Sequence, residues 1–357
     1  AELGKALELQ LEGLRSRFGS DLDPWSRLSL AAIVRDAGFE PPRTPKDADS
    51  VPNEWLLATG NEDLAKIALY RKGEKVRRDF IENYLTMSCH GRLHPNWMST
   101  RGGGAMSGDD VNGTRSGRLA SIDPNLQQIP SRDPVYGPLV RGLFLPEEGA
   151  YWGKFDYSSQ EPRNMLHYAN IMKLAGADVL HKMYVDNPKT DFHMATVNIV
   201  NASSNTQITR SQAKTIGLGA MYGLGKVKLA RALGLSSDDA EKVLDAYHTG
   251  MPFVKAISRI CSDRAQEVGY VRTILGRRRR FNEWENGVFS NDAAQWKPPV
   301  ASREEAFKLW PSIRRARTYK ALNSIVQGTS AEQVKLAIIG CTEEGLMPTL
   351  TIHDELG

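Results

Sequence analysis

Two acidic residues, Asp156 and Asp354, lie almost two hundred residues apart, and each ends a short apolar run that is typical of a β-strand. Between them, a segment with helical spacing carries Arg210 and Lys214. Two carboxylates that folding brings together can hold two divalent cations about 3.5–4 Å apart, the geometry used for in-line phosphoryl displacement. Basic side chains on a neighbouring helix can bind phosphate groups. The pattern therefore predicts a site at which metal ions and phosphates meet.

The first acidic segment spans residues 151–163, where alternating side chains predict a short strand that ends at Asp156. Ser158 or Ser159 is suited to cap a following helix, and Pro162 is suited to its first turn. An Asp at a strand end beside a serine is more often a turn or cap residue than a metal ligand. This segment alone therefore predicts only a strand, an acidic residue and a helix.

The second acidic segment spans residues 349–357 and places His353, Asp354 and Glu355 at a turn. Carboxylate oxygens suit Mg²⁺, which takes one or two protein carboxylates and leaves its other positions to water and phosphate. Taken alone, an ordinary acidic hairpin turn is the better explanation of this segment. The hairpin would need a second strand after Leu356, so we expect an unpaired strand here.

The third segment, residues 210–223, favours a metal and phosphate site over ordinary turns and helix caps. Residues four apart stay close to one face of a helix. That face carries Arg210, Lys214, Leu218 and Tyr222. Two cations, an apolar surface and an aromatic ring suit a triphosphate, a base and a template. Gly217 and Gly219 inside a helix each cost about 1 kcal/mol relative to Ala, so we expect a close approach to the backbone there. A plain basic surface helix does not need these glycines.

In their order along the chain, the three segments resemble the three motifs of the polymerase domain of family A DNA polymerases. Residues 156–163 are similar to motif A, residues 210–223 to motif B and residues 353–355 to motif C. Three ordered motifs are far more specific than any one of them. The resemblance covers almost the whole chain and implies an α+β right-hand polymerase fold with an antiparallel β palm, helical fingers and a helical thumb.

The resemblance also implies a division of the chain into subdomains. The expected regions are a thumb at 1–90, a first part of the palm at 91–163, fingers at 164–329 and a second part of the palm at 330–357, truncated after motif C. Within the thumb, the apolar positions of residues 64–84 predict a long amphipathic helix.

The resemblance assigns catalysis to Asp156, Asp354 and Lys214, in a template-directed addition of dNTPs to a primer 3′ end with release of pyrophosphate. The expected metal ligands are Asp156, Tyr157 and Asp354. Glu355 is expected to lie next to these ligands without binding the ions directly. Two Mg²⁺ ions are the expected cofactor, and Mn²⁺ is expected to substitute for them. The residues expected to contact the dNTP are Arg210, His193, Glu161, Leu218, Tyr222 and Gln160.

Smaller segments extend the resemblance to primer-template DNA. The expected DNA contacts are Arg118, Asn323, Gln327 and His353. Arg118 lies in residues 114–130, which are similar to a family segment that reaches the minor groove, and residues 191–193 resemble a phosphate-binding motif. Glu161 matches the family residue that crowds the ribose 2′ position, so deoxyribose is the expected sugar. Residues 276–280 match a Gly-Arg-Arg-Arg turn, although an arginine run alone is usually a solvated loop.

The chain departs from the family pattern at several positions. Gln160 stands where the family usually has an apolar residue, and Pro162 stands where Leu is common. Leu218 replaces a Phe or Tyr, as in some viral members, which favours a bacteriophage source. Residues 101–108 and 282–303 are interpreted as insertions.

Composition agrees with this interpretation without demonstrating it. A net charge of +4 is compatible with a phosphate backbone as a partner, but many other proteins are equally basic. Cys89, Cys261 and Cys341 lack metal-ligand spacing, so free thiols in a reducing compartment are expected. Because no stretch approaches about 18 consecutive apolar residues, no membrane association is expected. The expected location is the cytoplasm of a bacterium or of a phage-infected host.

Three functions stay open at this point. A template-directed DNA polymerase is favoured. A non-catalytic fragment that binds primer-template DNA is the second, because the missing strand would misplace Asp354. An RNA polymerase of related architecture is the third, and Glu161 argues against it. Since no nuclease segment precedes the first helix, proofreading is not expected, and replisome or processivity partners stay unidentified.

Overall fold

The computed structural model describes residues 2–44, 46–99, 113–130, 133–203, 207–288, 297–352 and 355–357. The chain forms two compact units. The first comprises Ala1–Asn96 and Ser121–Trp152, and the second comprises Trp97–Ala120 and Gly153–Gly357. The candidate active-site residues all belong to the second unit, so its elements are the ones that position the site.

The first unit is helical. Its elements are α1 (Glu2–Phe18), α2 (Arg27–Asp36), α3 (Asn53–Ala58), α4 (Glu62–Val76), a π-helical segment (Arg77–Glu82), α5 (Asn83–Met87), a 3₁₀ turn (Leu126–Gln128) and α6 (Tyr136–Arg141). The side chain of Asn61 caps α4 by accepting hydrogen bonds from the backbone N–H groups of Asp63 and Leu64. The predicted long helix over residues 64–84 is confirmed, with a π-helical segment inside it. Leu64 and Ile67 are completely buried in the core of this unit.

Two short strands, β1 (Asn96–Met98) and β2 (Ala120–Ile122), pair with each other. From Gly153 onward, the second unit contains β3 (Phe155–Asp156), α7 (Gln160–Ile171), α8 (Ala177–Asp186), α9 (Phe192–Ser203), α10 (Arg210–Met221), α11 (Lys226–Leu233), α12 (Ser237–Gly250) and α13 (Pro252–Val268). Its remaining elements are β4 (Tyr270–Arg272), β5 (Arg278–Arg280), β6 (Trp284–Asn286), α14 (Arg303–Leu309), β7 (Ile313–Arg315), a 3₁₀ turn (Thr318–Lys320), α15 (Ala321–Glu343), β8 (Thr351–Ile352) and β9 (Glu355–Leu356).

The core of the second unit lies among its helices. Met165, Phe192, Ile216, Tyr247 and Phe253 are buried in one continuous apolar cluster. Burying large apolar side chains contributes about 1.5–3 kcal/mol each, which fixes α7, α9 and α10 against α12 and α13. The predicted α+β class is confirmed, because small antiparallel sheets accompany these helices.

The sheets of the second unit are short and antiparallel. Strand β4 pairs with β5, β6 pairs with β7, and β9 pairs with β3 on one side and β8 on the other. Across the ranges that the structure describes, every helix is too short or too polar to cross a lipid bilayer.

Candidate active site

The three-stranded sheet of β3, β9 and β8 brings the two acidic segments together. Asp156 in β3 pairs with Glu355 in β9, and Glu355 in turn pairs with Ile352 in β8. Asp156 lies at an exposed position, and the ammonium group of Lys154 is 3.1 Å from a carboxylate oxygen of Glu355. The antiparallel register therefore places an exposed carboxylate beside the strand that directly follows residues 353–354.

The predicted unpaired strand in this segment is wrong. Residues Glu355–Leu356 are themselves the second strand of the hairpin, and Leu356 pairs with both Phe155 and Thr351. Pairing on both sides satisfies the backbone groups that an edge strand would leave open. The predicted first strand over 151–156 is shorter than expected, because only Phe155 and Asp156 have strand geometry.

Part of the predicted site lies outside the described residues. This is true of the two turn residues His353 and Asp354, of the predicted insertion at 101–108 and of residues 289–296 within the second predicted insertion. Among the residues whose placement is described, no group of three or more His, Cys, Asp or Glu side chains could hold a metal ion. Asp156 and Tyr157 are the predicted metal ligands that the structure places, and both lie at exposed positions.

The first turn of α7 presents Glu161. Of the two predicted caps, Ser159 occupies the N-cap position with φ +52°, but its side chain makes no capping hydrogen bond. Pro162 lies in the first turn as predicted. The Glu161 carboxylate accepts hydrogen bonds from the Arg118 guanidinium and from the Tyr222 hydroxyl. Three segments that are distant in sequence thus converge on one carboxylate.

Helix α10 is built as the sequence predicts. Thr209 and Gln212 form a capping box at its start, which satisfies backbone N–H groups in the first turn. Arg210 and Lys214 lie at exposed positions, whereas Leu218 is half-buried and packs against the core. One face of the helix therefore presents two cations at its N-terminal end and apolar surface farther along.

The close approach predicted at the two helical glycines is confirmed. A Cβ atom at Gly219 would lie 2.5 Å from a methyl carbon of Leu224, and one at Gly217 would lie 3.3 Å from a ring carbon of Phe192. The neighbours that approach the backbone belong to this chain. These contacts let α10 sit close to α9 and to the turn that follows α10.

His193 and Asp191 flank the start of α9. The Asp191 carboxylate accepts hydrogen bonds from the backbone N–H groups of His193 (2.8 Å) and Met194 (3.2 Å) and from Nε of Arg210 (2.7 Å). Burial opposes ionisation of Asp191, but the hydrogen bonds from Arg210 and the two backbone groups outweigh it and lower the pKa of Asp191. Burial lowers the pKa of His193. The His193 Nδ1 atom is buried and has no hydrogen-bond partner in the described part of the molecule.

Three of the residues predicted to contact DNA, Arg118, Asn323 and Gln327, lie on or beside the N-terminal half of α15, and the fourth, His353, lies outside the described residues. Asn323 and Gln327 are four residues apart on this helix, and both are half-buried. The backbone carbonyl oxygen of Ser116, two residues before Arg118, lies 3.4 Å from where a Cβ of Gly328 would be. The segment that carries Arg118 is therefore adjacent to the same helix as Asn323 and Gln327.

The arginine-rich segment at residues 276–280 comprises the end of the β4–β5 turn and strand β5. Gly276 has φ +96°, a conformation that favours glycine. The Arg277 guanidinium donates to the Arg115 carbonyl oxygen at 3.3 Å and lies against Gly117. A cleft lined in part by Arg115, Arg277 and Arg279 opens between this hairpin and α15. The arginine run is thus partly engaged in the fold.

Gln160, a predicted dNTP contact that stands where the family usually has an apolar residue, is buried against α15. Its side chain is only 6% exposed and its amide donates hydrogen bonds to α15. Asn164, one turn later, is also buried and also bonds to α15. Sequence reasoning missed this second amide, although the spacing of four between two amide residues in an otherwise apolar helix face was a detectable signal.

The second unit therefore unites an acidic strand pair, a helix with two exposed cations and a buried histidine beside it. This combination of helices and small antiparallel sheets matches a right-hand polymerase domain of known structure. The coordinates of the chain are similar to those of the POL domain of Pol1 from M. smegmatis in complex with DNA primer-template and dNTP, with a TM-score of 0.74 and 25% sequence identity, over 99% of this chain and 58% of that one.

The chain belongs to DNA polymerase family A, whose family model matches residues 26–357. It is 29% identical to a DNA-directed DNA polymerase of Pseudomonas phage M6, over 98% of this chain and 55% of the relative. It is 30% identical to the thermostable DNA polymerase I of Thermus aquaticus, over 96% of this chain and 36% of the relative. The chain spans about half the length of the phage relatives it matches.

Proposed function

We propose that this chain is a template-directed DNA polymerase that adds dNTPs to a primer 3′ end by two-metal nucleotidyl transfer and releases pyrophosphate. The observation that carries the proposal is the pairing of Asp156 with Glu355. Asp354, the second proposed acid, directly precedes Glu355 in the chain. The similarity to a polymerase in complex with primer-template and dNTP supports these substrates.

The available donors fit magnesium. Carboxylate oxygens are hard ligands, and Mg²⁺ in phosphoryl-transfer sites binds to one or two of them while it also binds substrate phosphates. Asp156, Tyr157 and Asp354 would hold two Mg²⁺ ions, for which Mn²⁺ would substitute. Glu355 would lie next to these ligands without binding the ions directly. When bound, the ions would supply positive charge that favours both the attacking and the leaving oxygen.

The side chains of α9 and α10 would act on the triphosphate. Lys214, exposed one turn after Arg210, would offset phosphate charge and donate a proton to the departing pyrophosphate. Arg210 and His193 would hold the outer phosphates, because a guanidinium binds phosphate by paired hydrogen bonds and a neutral imidazole can donate one. Leu218, on the same face of α10, and Tyr222, the residue directly after the helix, would border the base and the template.

The sugar and the DNA would be recognised by other residues of the same unit. The Glu161 carboxylate, held by Arg118 and Tyr222, would occupy the space beside a ribose 2′ position and so favour deoxyribose. Arg118, Asn323, Gln327 and His353 would contact the primer-template. In this proposal the thumb is residues 1–90, the palm 91–163 and 330–357, and the fingers 164–329. Such an enzyme works where DNA and dNTPs are present, in a bacterial or phage-infected cytoplasm.

Primer extension on a defined template with Mg²⁺ and dNTPs tests the proposal. The whole chain is compared with Asp156→Asn, Asp354→Asn and the control Asp178→Asn, which changes an exposed acid in the first turn of α8. We expect templated addition in the wild type and in the control. Each of the other two variants should be slower by at least about 10²–10³-fold, the loss typical of removing charge stabilisation from an active site.

Each alternative function has its own outcome in the same assay. Tight binding of primer-template without any addition would make the chain a DNA-binding fragment. Faster addition of rNTPs than of dNTPs would make it an RNA polymerase. Equal activity of Asp156→Asn and Asp178→Asn would show that the exposed acid of β3 is not part of the reaction.

A further inference from the structure

A buried polar seam joins α7 to α15 directly behind Glu161. We use the term for Gln160 and Asn164 of α7 together with Ser330 and Gln333 of α15. Gln160, Asn164 and Ser330 are 6%, 7% and 2% exposed, respectively. Buried amides destabilise a protein unless their hydrogen bonds are made. The contact between α7 and α15 therefore depends on pairing these polar groups as well as on close packing.

The hydrogen bonds of the seam use the donors of both α7 amides. Gln160 Nε2 donates to the Ser330 carbonyl oxygen at 3.3 Å and to Gln333 Oε1 at 3.1 Å. Asn164 Nδ2 donates to Ser330 Oγ and to Gln333 Oε1, both at 3.0 Å. Gln333 Nε2 donates back to Asn164 Oδ1 at 3.1 Å. A side-chain amide has two donor hydrogens, so each of these two groups donates as often as it can.

This pattern fixes how α7 is rotated. Hydrogen bonds weaken steeply when their angle or length changes, whereas apolar contacts are non-directional and tolerate small rotations. Gln160 and Asn164 are one helical turn apart, and both bond to the same amide, that of Gln333. A rotation of α7 on α15 would therefore break bonds to Gln160 and Asn164 together.

Glu161 is the residue that this rotation moves. It follows Gln160 directly, so its side chain leaves α7 about 100° farther around the helix. Its carboxylate accepts from Arg118 and Tyr222, which lie on two other segments. A turn of α7 would take the carboxylate away from at least one of these donors. The seam and the Glu161 contacts are thus two consequences of one helix orientation.

We propose that the polar seam positions Glu161 and thereby sets the discrimination of this polymerase between deoxyribonucleotides and ribonucleotides. The inference rests on the proposed function, in which Glu161 borders the sugar. Gln160 is in this view a positioning residue, which acts through Glu161 from the interior of the α7–α15 contact. The substrate class it affects is the ribonucleoside triphosphate, whose extra hydroxyl Glu161 would exclude.

The test uses Gln160→Met, which keeps the length of the side chain and removes its donors. Single-nucleotide addition is measured with a dNTP and with the matching rNTP, and kcat/KM is compared for the two. We expect the ratio to fall by about 10-fold, since misplacing a positioned group by about 1 Å can cost up to 10²-fold. The fall should come from faster use of the rNTP as well as slower use of the dNTP.

Tyr168→Phe is the matched control. Tyr168 lies on the same face of α7, one turn beyond Asn164, and its hydroxyl is 2.6 Å from Thr329 Oγ1 of α15. This variant removes a polar contact from the same interface, but far from Glu161, so the ratio should stay at the wild-type value. The inference would be overturned if the dNTP-to-rNTP ratio of kcat/KM were the same in Gln160→Met and the wild type. It would also be overturned if Gln160→Met and Tyr168→Phe lowered this ratio equally.

Two further measurements keep the test decisive. If Gln160→Met does not fold, the apolar seam Gln160→Met/Asn164→Leu/Gln333→Leu should restore folding, and its ratio should still be reduced. Crystal structures of the wild type and Gln160→Met show whether Glu161 keeps both Arg118 and Tyr222. If it does, the inference fails even in an active enzyme. If the wild type extends no primer, the proposed function fails, and the structures still decide the role of the seam.

Discussion

Arg210 and Asp191 form an ion pair in which Arg210 Nε lies 2.7 Å from Asp191 Oδ2. The same carboxylate accepts hydrogen bonds from the backbone N–H groups of His193 and Met194. One acidic side chain therefore holds the start of α9 and the first residue of α10. The two proposed phosphate ligands, His193 and Arg210, are kept close to each other by a residue that would touch neither substrate nor metal.

Replacing Asp191 with Asn should make the unfolding free energy depend less on pH in the acidic range. Asn also caps helices, so the change removes mainly the negative charge. Because Arg210 is 57% exposed, the unfolding free energy at neutral pH should fall by only about 0.5–1 kcal/mol. The pKa of Asp191 is lowered from 3.8 in the folded state, so its stabilisation is present above that pH and is lost as the pH falls through the lower folded value.

Urea unfolding of Asp191→Asn and the wild type, measured at neutral pH and at stepwise lower pH, checks this expectation. The difference in unfolding free energy should shrink below about pH 4. Asp178→Asn provides the control for removing an exposed acid from a helix start. A difference that grows toward acid would contradict the assignment of the ion pair.

His193 should make the protein less stable in mild acid. Burial lowers the pKa of His193 from 6.5, so the unfolded chain binds a proton more readily than the folded one. The stabilisation from the neutral imidazole is complete above about pH 6.5 and is lost as the pH falls toward the folded value. The variant His193→Gln should therefore show a smaller loss of unfolding free energy than the wild type between about pH 7.5 and 5.5.

A second histidine calibrates this measurement. Burial also lowers the pKa of His248, so His248→Gln should remove a second part of the same pH dependence. If neither His193→Gln nor His248→Gln reduced the pH dependence, burial of these imidazoles would not be its cause.

The two glycines of α10 should respond differently to alanine. Gly219→Ala would place a methyl group 2.5 Å from a methyl carbon of Leu224 and 3.1 Å from its Cβ, so we expect a loss of about 1–3 kcal/mol from overpacking. Gly217→Ala meets a Phe192 ring carbon at 3.3 Å, and the gain in helix propensity of about 1 kcal/mol should offset this tighter contact. Thermal unfolding of the two variants checks that Gly219→Ala is less stable than Gly217→Ala.

Gly117 should be needed for both stability and DNA binding. Its φ is +89°, and a Cβ there would overlap the Arg277 guanidinium. Gly117→Ala should therefore cost about 1–3 kcal/mol from backbone strain and displace the flexible Arg277 side chain. Gly91→Ala is the control for that strain, because Gly91 has φ +75° with open space around it.

The DNA part of this prediction has a separate readout. A displaced Arg277 should weaken binding of a fluorescent primer-template, measured by anisotropy at fixed salt, because phosphate contacts dominate such affinities. Gly91→Ala should bind as the wild type does. Unchanged binding by folded Gly117→Ala would show that the position of Arg277 does not affect binding of the primer-template.

Much of the local structure was predictable from the sequence. Spacing of four along residues 210–223 predicted α10 and its exposed cations, and two interior glycines predicted close neighbours. Other local predictions were wrong for identifiable reasons. Ser158 or Ser159 was expected to cap α7, and Ser159 is the N-cap residue, but with a left-handed φ its side chain makes no capping bond. The hairpin strand expected after Leu356 lies at Glu355–Leu356 instead, since a strand of two residues carries no periodic signal.

What the sequence by itself determined is the set of local patterns: which segments are helices, where charge and apolar side chains alternate, and the family to which the ordered motifs belong. Only the tertiary structure decided which distant residues meet. The register of Asp156 with Glu355, the contact of Glu161 with Arg118 and Tyr222, and the bonds of Gln160 to α15 each join positions far apart in the chain. The reason is physical, because helical and strand periodicities arise from neighbouring residues, whereas pairing between distant ones depends on how whole elements pack.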